Sequence, residues 1–364
     1  MKKIISFLIA AVMIISVGIT AFAQNEKTDI DGSNWMSALD SNQLITSINI
    51  PGTHDSASKN AMPFNALSST QNKTIAQQLY SGVRYLDIRL ELTKKGDINV
   101  IHEISDCKDS MGLTSKTLKI EDITNICIDF LKKNTGETIF LHIRQDRGEK
   151  TTQLYDTFYN KCVVGNENYW YLINNKPTLK DVRGKIVLLR GVPVDSLCFN
   201  DTNSGINFMS YPYVGSTQLD NFKFCPITKL ENGGIYDYMY VQDSYKLNAN
   251  DKKSTIKSFL QTYKLSSDYN ICATNCIGSG SPHFCAEIVN KWFMEYSLED
   301  GAVYGIISMD FITDELCEKI YLTNSFVNNA NDATENTEVI TYSLFGKALE
   351  FMRNIIQNIE SCFA

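Results

Sequence analysis

The chain has 364 residues, of which 43% are hydrophobic, and this is enough apolar content for a real core. Its formal net charge of −7 at pH 7 argues against nucleic acid or an anionic surface as the main partner. The length suits one large α/β barrel or two ordinary domains.

The chain begins like an exported protein. Lys2 and Lys3 precede an apolar run over residues 4–22, and Ala21-Phe22-Ala23 is a cleavage site of the Ala-x-Ala type. The run is long enough to span a bilayer, but the cleavage site and the polar residues after it favour removal. We therefore expect residues 1–23 to be a signal peptide and the mature protein to be secreted.

Apolar runs of strand type recur along the mature chain, and helical patterns separate most of them. The predicted strands are Ile45–Ile50, Tyr85–Leu90, Asn99–His102, Thr138–Ile143, Ile186–Arg190, Tyr238–Gln242, Ile271–Thr274 and Tyr304–Ser308. The predicted helices are Thr70–Ser81, Ile120–Lys133, Ser254–Tyr263 and Cys285–Tyr296. This alternation implies a mainly parallel sheet. The sequence therefore predicts an α/β fold, a (β/α)8 barrel of the TIM type, made irregular by a hairpin at residues 94–97.

The barrel pattern fills residues 24–327 as a single domain. Residues 328–336 are polar and turn-rich, which indicates a linker. Residues 337–364 then carry one helical apolar stripe, formed by Phe345, Leu349, Met352, Ile356 and Ile359. We expect this C-terminal amphipathic helix to pack back on the barrel.

Ten cysteines in an exported protein suggest some disulfides, although several cysteines can simply be small buried residues. Cys272, Cys276, His283 and Cys285 have a C-x3-C-x6-H-x-C spacing. A zinc site is conceivable there, but the spacing is irregular for one. A disulfide across this loop is the favoured interpretation.

Ionisable side chains stand at the ends of three successive predicted strands. They are His54, Asp55, Asp87, Arg89 and His102, and parallel barrels place their sites at such strand ends. Two histidines can act as general base and general acid, and an arginine can neutralise charge on a phosphate. Each motif alone is weak evidence, because one histidine is often structural and Asp87 with Arg89 could be an ion pair. Together they indicate phosphodiester cleavage.

Three segments resemble the X-region barrel of bacterial phosphatidylinositol-specific phospholipase C. They are Pro51-Gly52-Thr53-His54-Asp55, Leu86-Asp87-Ile88-Arg89 and the strand ending at His102. The resemblance extends over residues 30–325 and includes Val241-Gln242-Asp243-Ser244-Tyr245 and Met309-Asp310-Phe311-Ile312.

The resemblance implies a role for each of these residues. His54 would be the base that takes the proton of the inositol 2-hydroxyl, and Asp310 would orient it. His102 would be the acid that protonates the diacylglycerol oxygen, supported by Asp55. Arg89 would contact the phosphate, with Asp87 holding the local network.

The resemblance also implies substrate contacts. Asp243 would bind inositol hydroxyls, Tyr245 would stack under the ring, and Arg190 would be a further hydroxyl contact. Arg144 stands where the family has an inositol-binding lysine, which is a departure in residue type. His142 shares a strand face with Arg144, and we expect it to fill the barrel interior.

The resemblance further implies a metal-independent enzyme without a cofactor, because Arg89 stands where eukaryotic relatives have acidic calcium ligands. Asp55 and Asp87 alone are a poor set for calcium. The partner would be phosphatidylinositol in a membrane, contacted transiently by a monomer. The candidate interfacial segments are residues 278–284, 169–171 and 208–213.

Two alternatives remain open. A glycerophosphodiester phosphodiesterase also uses histidines on a barrel, but it needs a metal and an acidic cluster, against which Arg89 argues. The second alternative is a catalytically silent barrel that binds lipid head groups. The presence of His54, His102, Arg89 and Asp310 argues against this alternative.

Overall fold

The computed structural model describes residues 30–211, 223–228, 237–266 and 268–327. Its strands are β1 (Ile50–Thr53), β2 (Ala61–Met62), β3 (Tyr85–Leu92), β4 (Ile98–His102), β5 (Ser105–Cys107), β6 (Ile139–Arg147), β7 (Trp170–Tyr171), β8 (Ile186–Gly191), β9 (Ile206–Asn207), β10 (Lys223–Thr228), β11 (Asp237–Gln242), β12 (Tyr269–Ala273) and β13 (Ile306–Met309). Its α-helices are α1 (Asn65–Ser68), α2 (Ile75–Ser81), α3 (Ile120–Lys133), α4 (Gln153–Phe158), α5 (Leu179–Val182), α6 (Ala249–Tyr263), α7 (Pro282–Glu295) and α8 (Asp314–Tyr321).

The strands form one mixed sheet around a parallel core. In the order β8, β6, β3, β1, β13, β12 and β11, each strand pairs in parallel with the next. β9 adds to β8 in parallel, and β10 adds to β11 in the antiparallel direction. Among the described residues no pairing joins β9 to β10, so the ring is irregular there. The α/β class and the irregular barrel that the sequence predicts are confirmed.

The predicted hairpin is also present. β3 and β4 are antiparallel, with Arg89 opposite Ile101 and Leu92 opposite Ile98. The turn between them contains Gly96 at φ +78°, a left-handed conformation that glycine adopts without steric cost. The hairpin matters for the site because it brings His102, at the end of β4, next to the end of β3.

Two predicted element boundaries are wrong for identifiable reasons. Residues 45–47 form a 3₁₀ turn and β1 begins only at Ile50. With about three residues per 3₁₀ turn, Ile45 and Ile48 still share one buried face. α2 begins at Ile75 because Thr74 caps it, accepting from the amide of Gln77.

The N-terminal end of the barrel is closed by a buried ion pair. Arg84 Nη2 lies 2.7 Å from Glu137 Oε2, and both side chains are fully buried. Glu137 also accepts from the amides of Met36 and Ser37 at 3.2 and 2.8 Å. One carboxylate therefore fastens the segment that precedes the first strand to the base of the barrel.

Several sequence predictions fall outside the described residues. These are the signal peptide, the linker at 328–336 and the C-terminal helix at 337–364. Within the described ranges no helix has the length and hydropathy of a membrane span.

The predicted disulfide across the Cys272–Cys285 loop is absent, because Cys272, Cys276 and Cys285 are buried free thiols. Burial raises the pKa of Cys272 to about 12, so it is an inert apolar residue. The zinc alternative also fails among the described residues, because these side chains form no potential metal-binding group with His283. His283 is exposed and packs its ring against Phe311 instead.

Candidate active site

A cleft of about 850 Å³ opens at the C-terminal end of the barrel strands. Seven of the ten predicted site residues line it: His54, Asp55, Arg89, His102, Asp243, Tyr245 and Asp310. Their strands explain why they meet. Residues at the carboxyl ends of neighbouring parallel strands share one end of the barrel, and His102 joins them through the hairpin.

His54 and Asp310 extend two paired strands. Thr53 lies beside Met309 in the register of β1 and β13, so the next residue of each strand projects into the cleft. His54 Nδ1 lies 2.8 Å from Asp310 Oδ1, which fixes the ring and leaves Nε2 facing the cleft. Burial disfavours the charged ring, but Asp55 and Asp310 outweigh burial and raise the pKa of His54 to about 9.

Asp55 is placed between the two histidines. Its Oδ2 atom lies 3.1 Å from Nε2 of His54 and also 3.1 Å from Nε2 of His102. Burial alone would raise the pKa of this carboxyl, but Arg89 and the two histidines outweigh burial and lower it. Asp55 is therefore an anion that both imidazoles can share.

His102 has the hydrogen bonds of a general acid. Its Nδ1 lies 2.6 Å from the carbonyl oxygen of Ser68, and since a carbonyl only accepts, Nδ1 carries a proton. Its Nε2 lies 3.1 Å from Asp55 Oδ2. Both ring nitrogens are therefore held by fixed partners, and Nε2 lies at the cleft.

Arg89 is surrounded by three carboxylates. Its Nε lies 3.1 Å from Asp55 Oδ1, its Nη2 lies 2.9 Å from Asp87 Oδ2, and its Nη1 lies 2.9 Å from Asp146 Oδ2. The side chain is 7% exposed. These carboxylates hold the guanidinium in one orientation at the cleft wall, as bidentate recognition of a phosphate requires.

Asp87 and Arg144 lie below the cleft lining. Arg144 Nη2 is 3.0 Å from Asp87 Oδ2, and its guanidinium carbon lies 4.8 Å from the centroid of the Tyr211 ring. Burial would raise the pKa of Asp87, but Arg144 and Arg89 hold it well below its usual value. Asp87 thus holds Arg89 in place through one ion pair, and Arg144 holds Asp87 through another.

Asp243 and Tyr245 follow β11 on the opposite wall. Asp243 is 5% exposed, and burial raises the pKa of its carboxyl. Tyr245 is half-buried, and its amide donates to the carbonyl of Asp243 at 3.1 Å. Both residues line the same cleft as the histidines.

Arg190 is not where the sequence predicts it. Its Nε and Nη1 donate to the carbonyls of Ser204 and Val192 at 2.9 and 2.6 Å, and it does not line the cleft. These contacts tie β8 to the segment before β9, so the structure gives Arg190 a structural position. His142 is fully buried and its Nδ1 lies 2.7 Å from the Tyr85 hydroxyl, as expected for the barrel interior.

Several polar cleft residues are missing from the sequence-based set, among them Asp146 and Asn275. Asp146 lies near the end of β6, where the register with β3 is irregular, and its Oδ2 lies 2.9 Å from Arg89 Nη1. Asn275 lies just beyond β12, with Nδ2 3.5 Å from His54 Nε2. A systematic look at the polar residues after every predicted strand would have found both.

Backbone strain concentrates at the site. Four non-glycine residues of the described ranges have positive φ, and three belong to the catalytic segments: Asp55 at 41°, Glu103 at 50° and Phe311 at 47°. Such conformations cost of order 1–3 kcal/mol each and persist where the surroundings fix them. Here each marks a sharp bend at or directly after a residue that faces the cleft.

One group of side chains has metal-ligand spacing. Ligand atoms of His54, Asp55 and Asp87 lie within 4.8 Å of one another. The guanidinium of Arg89 contacts both of these carboxylates, so a fixed positive charge already balances them. The donor set does not fit a calcium ion, which prefers 6–8 oxygens.

Comparison with known proteins agrees with this geometry. Residues 48–191 match the family model of the phosphatidylinositol-specific phospholipase C X domain. A 1-phosphatidylinositol phosphodiesterase of Staphylococcus aureus strain Newman is 30% identical over 259 residues, covering 68% of this chain and 75% of that protein. The corresponding protein of Listeria monocytogenes is 27% identical over 319 residues, covering 82% and 87%.

Solved structures share the fold. A phosphatidylinositol-specific phospholipase C of S. aureus superposes with a TM-score of 0.64 at 24% identity, over 81% of this chain and 98% of that one. The L. monocytogenes enzyme gives 0.63 at 24% identity, over 82% and 100%. From the family-model match and the sequence identity, the chain belongs to the bacterial phosphatidylinositol-specific phospholipase C family.

Proposed function

We propose that this protein cleaves phosphatidylinositol into diacylglycerol and 1D-myo-inositol 1,2-cyclic phosphate, using histidines as acid and base. One observation carries the proposal: a single Asp55 oxygen lies 3.1 Å from both imidazole Nε2 atoms, and the other oxygen lies 3.1 Å from Arg89. The proposal is supported because two imidazoles and a guanidinium surround one carboxylate, which suits a base, an acid and a phosphate-binding cation.

The first step is an intramolecular attack. His54 Nε2 takes the proton of the inositol 2-hydroxyl, and the 2-oxygen attacks phosphorus. The bond from phosphorus to the glycerol oxygen breaks, and His102 Nε2 gives its proton to that oxygen. Arg89 stabilises the charge on the phosphoryl oxygens. Asp310 keeps Nδ1 of His54 protonated, so that only Nε2 exchanges a proton with the substrate.

The second step reverses the roles. His102, now neutral, takes a proton from a water molecule. The water oxygen attacks phosphorus and opens the cyclic ester, and His54 returns its proton to the 2-oxygen.

The pH dependence follows from the protonation of His54. In the absence of substrate His54 is mainly protonated at neutral pH, because its pKa is about 9. Because the base must be unprotonated, the reactive fraction rises with pH through this value.

Arg89 supports a metal-independent reaction. It supplies the positive charge at the phosphate, and its contacts with Asp55 and Asp87 engage the two carboxylates that a cation would need.

The rim of the cleft supports contact with a membrane. Four apolar residues line the cleft and are also exposed: Phe64 at 59%, Leu67 at 66%, Ile104 at 69% and Ile277 at 47%. Apolar side chains grouped around a polar cleft are typical of a surface that meets lipid. We infer that this rim contacts a phosphatidylinositol-containing bilayer transiently, and that the protein acts outside the cell as a secreted monomer.

The other predicted membrane contacts are only partly tested. Trp170, Tyr171, Phe208 and Tyr211 are buried, as aromatic core residues are. Met209 is 45% exposed, and residues 212–213 lie outside the described residues. Of the predicted rim loop, Phe284 is 50% exposed and stays a candidate.

The decisive experiment uses vesicles that contain phosphatidylinositol, with excess chelator. We expect water-soluble inositol phosphate to be released, and phosphorus NMR to show the cyclic ester before the acyclic one. Loss of activity in chelator that calcium restores would contradict the metal-independent mechanism and favour a glycerophosphodiesterase-like enzyme. Vesicle binding without any release would indicate a silent lipid-binding barrel.

A further inference from the structure

A carboxamide stands beside the proposed base, on the side away from Asp310. Asn275 lies in the loop after β12, is 6% exposed and lines the cleft. Its Nδ2 lies 3.5 Å from His54 Nε2. No donor among the described residues contacts its Oδ1. A buried amide with an unmet oxygen costs free energy, so its position needs an explanation.

The loop that carries Asn275 is fixed on both sides. Thr274 donates its amide to the carbonyl of Ser308 on β13 at 2.8 Å. Beyond Asn275, Ile277 donates to the carbonyl of Tyr245 at 2.8 Å and Gly278 donates to Leu247 at 2.9 Å. The carboxamide is therefore presented by a rigid loop.

The close approach at Gly278 depends on its lack of a side chain. A Cβ at this position would lie 2.5 Å from the carbonyl carbon of Leu247. The loop can therefore dock against the segment after β11 only because residue 278 is glycine.

Asn275 and His54 together fit one hydroxyl group. A hydroxyl donates one hydrogen bond and accepts two. It can therefore donate to the unprotonated Nε2 of His54 while its oxygen accepts from Nδ2 of Asn275. Two nitrogens 3.5 Å apart can both lie within about 2.9 Å of the same oxygen, the usual hydrogen-bond length.

We infer that Asn275 is a catalytic residue that donates a hydrogen bond to the inositol 2-oxygen and holds it between His54 and phosphorus. This inference rests on the proposed function and extends it. A donor aimed at the attacking oxygen favours the geometry of attack. It also stabilises the negative charge that grows on this oxygen as the proton leaves. Because the amide is neutral, it does so without raising the pKa of His54.

The test compares three variants. Asn275→Ala should lower kcat for phosphatidylinositol cleavage by up to about 10²-fold, the effect of losing one donor to a developing charge, with KM changed much less. Asn275→Asp places a carboxylate beside Nε2 and should raise the pKa of His54, measured by NMR. Asn270→Ala is the matched control, because Asn270 is a buried amide at the other end of β12, where its Nδ2 donates to Tyr263.

The outcomes separate the inference from the proposed function. If Asn275→Ala keeps kcat within about twofold, or if Asn270→Ala loses as much, Asn275 has no catalytic role. If Asn275→Asp leaves the pKa of His54 unchanged, the two side chains are not adjacent in solution. If the wild type does not cleave phosphatidylinositol, the proposed function fails, whereas the His54 titration still tests whether the two side chains are neighbours.

Discussion

The Oδ1 atom of Asp55 lies 3.1 Å from the Nε atom of Arg89. Since the other Asp55 oxygen contacts both histidines, this carboxylate couples Arg89 to His54 and His102, the proposed base and acid. A substitution of Asp55, Arg89, His54 or His102 should therefore change the electrostatic environment of the other three side chains.

Removing either histidine should abolish most of the chemistry. His54→Ala and His102→Ala should each reduce kcat on phosphatidylinositol vesicles by roughly 10²–10⁴-fold, the usual contribution of a general acid or base. His283→Ala is the control, because this histidine is exposed and does not line the cleft. It is compared on a water-soluble short-chain phosphatidylinositol, because residues 278–284 are a candidate membrane contact. Near-wild-type turnover in either site variant would remove that residue from the mechanism.

Arg89→Lys should be severely impaired although the charge is kept. A lysine ammonium cannot reproduce the fork that contacts three carboxylates and a phosphate, and we expect a loss of kcat of at least about 10²-fold. Arg183→Lys is the control: Arg183 donates to the carbonyls of Met36 and Leu39 and does not line the cleft. Equal kinetic losses in both variants would show a general effect of arginine removal.

The pKa of His54 should be measurable directly, because the chain has only four histidines. NMR titration should give a value of about 9 for His54, while His142 should not titrate, since burial and Arg144 hold its pKa well below its usual value. Asp310→Asn removes one of the two carboxylates that raise the pKa of His54 and should lower it.

The same shift makes a prediction about stability. Because the folded pKa of about 9 exceeds the usual histidine pKa of 6.5, His54 contributes stability that is fully present below pH 6.5. That contribution is lost as the pH rises through 9. Urea unfolding of wild type and His54→Gln should differ least at the alkaline end, and a constant difference across this range would contradict the raised pKa.

Breaking the ion pair at the base of the barrel should affect stability alone. Glu137→Gln leaves Arg84 as a fully buried and uncompensated charge, which typically costs about 3–5 kcal/mol. Urea unfolding should show this loss, whereas kcat of the folded fraction should stay at the wild-type value. The double variant Arg84→Met with Glu137→Gln should recover part of the loss, because the charge is gone as well.

The apolar rim should control binding to vesicles but not the chemistry. Phe64→Ser combined with Leu67→Ser should weaken vesicle binding by tenfold or more, because burying one large apolar side chain stabilises by about 1.5–3 kcal/mol. Turnover of a water-soluble short-chain phosphatidylinositol should change little. Leu197→Ser is the control, since Leu197 is 93% exposed and lies outside the cleft lining. Unchanged vesicle binding in the double variant would place the membrane contact elsewhere.

The sequence predicts the barrel and most of its site because both depend on local patterns. Apolar runs mark strands, and the polar residues at their ends mark where sites form, so His54, Arg89 and His102 could be found. Asp243 is predicted only from the family resemblance of residues 241–245. The sequence could not distinguish Arg190 from the residues that line the cleft, because it also stands near the end of a strand. Its structural role depends on hydrogen bonds to the carbonyls of Ser204 and Val192, which only the folded chain brings near it. The burial of Trp170 and Phe208 likewise depends on contacts between distant segments.

The β3–β4 hairpin carries two functions within a few residues. His102 ends β4, and Ile104, 69% exposed, lies two positions further along the turn into β5. A span of two residues is at most about 7 Å, so the proposed proton donor lies close to one of the side chains that we propose to contact lipid. Under the proposed function, the depth to which the rim enters a bilayer sets the height of His102 relative to the glycerol oxygen. Membranes that admit the rim less deeply should slow the departure of diacylglycerol more than they slow the opening of the water-soluble cyclic ester.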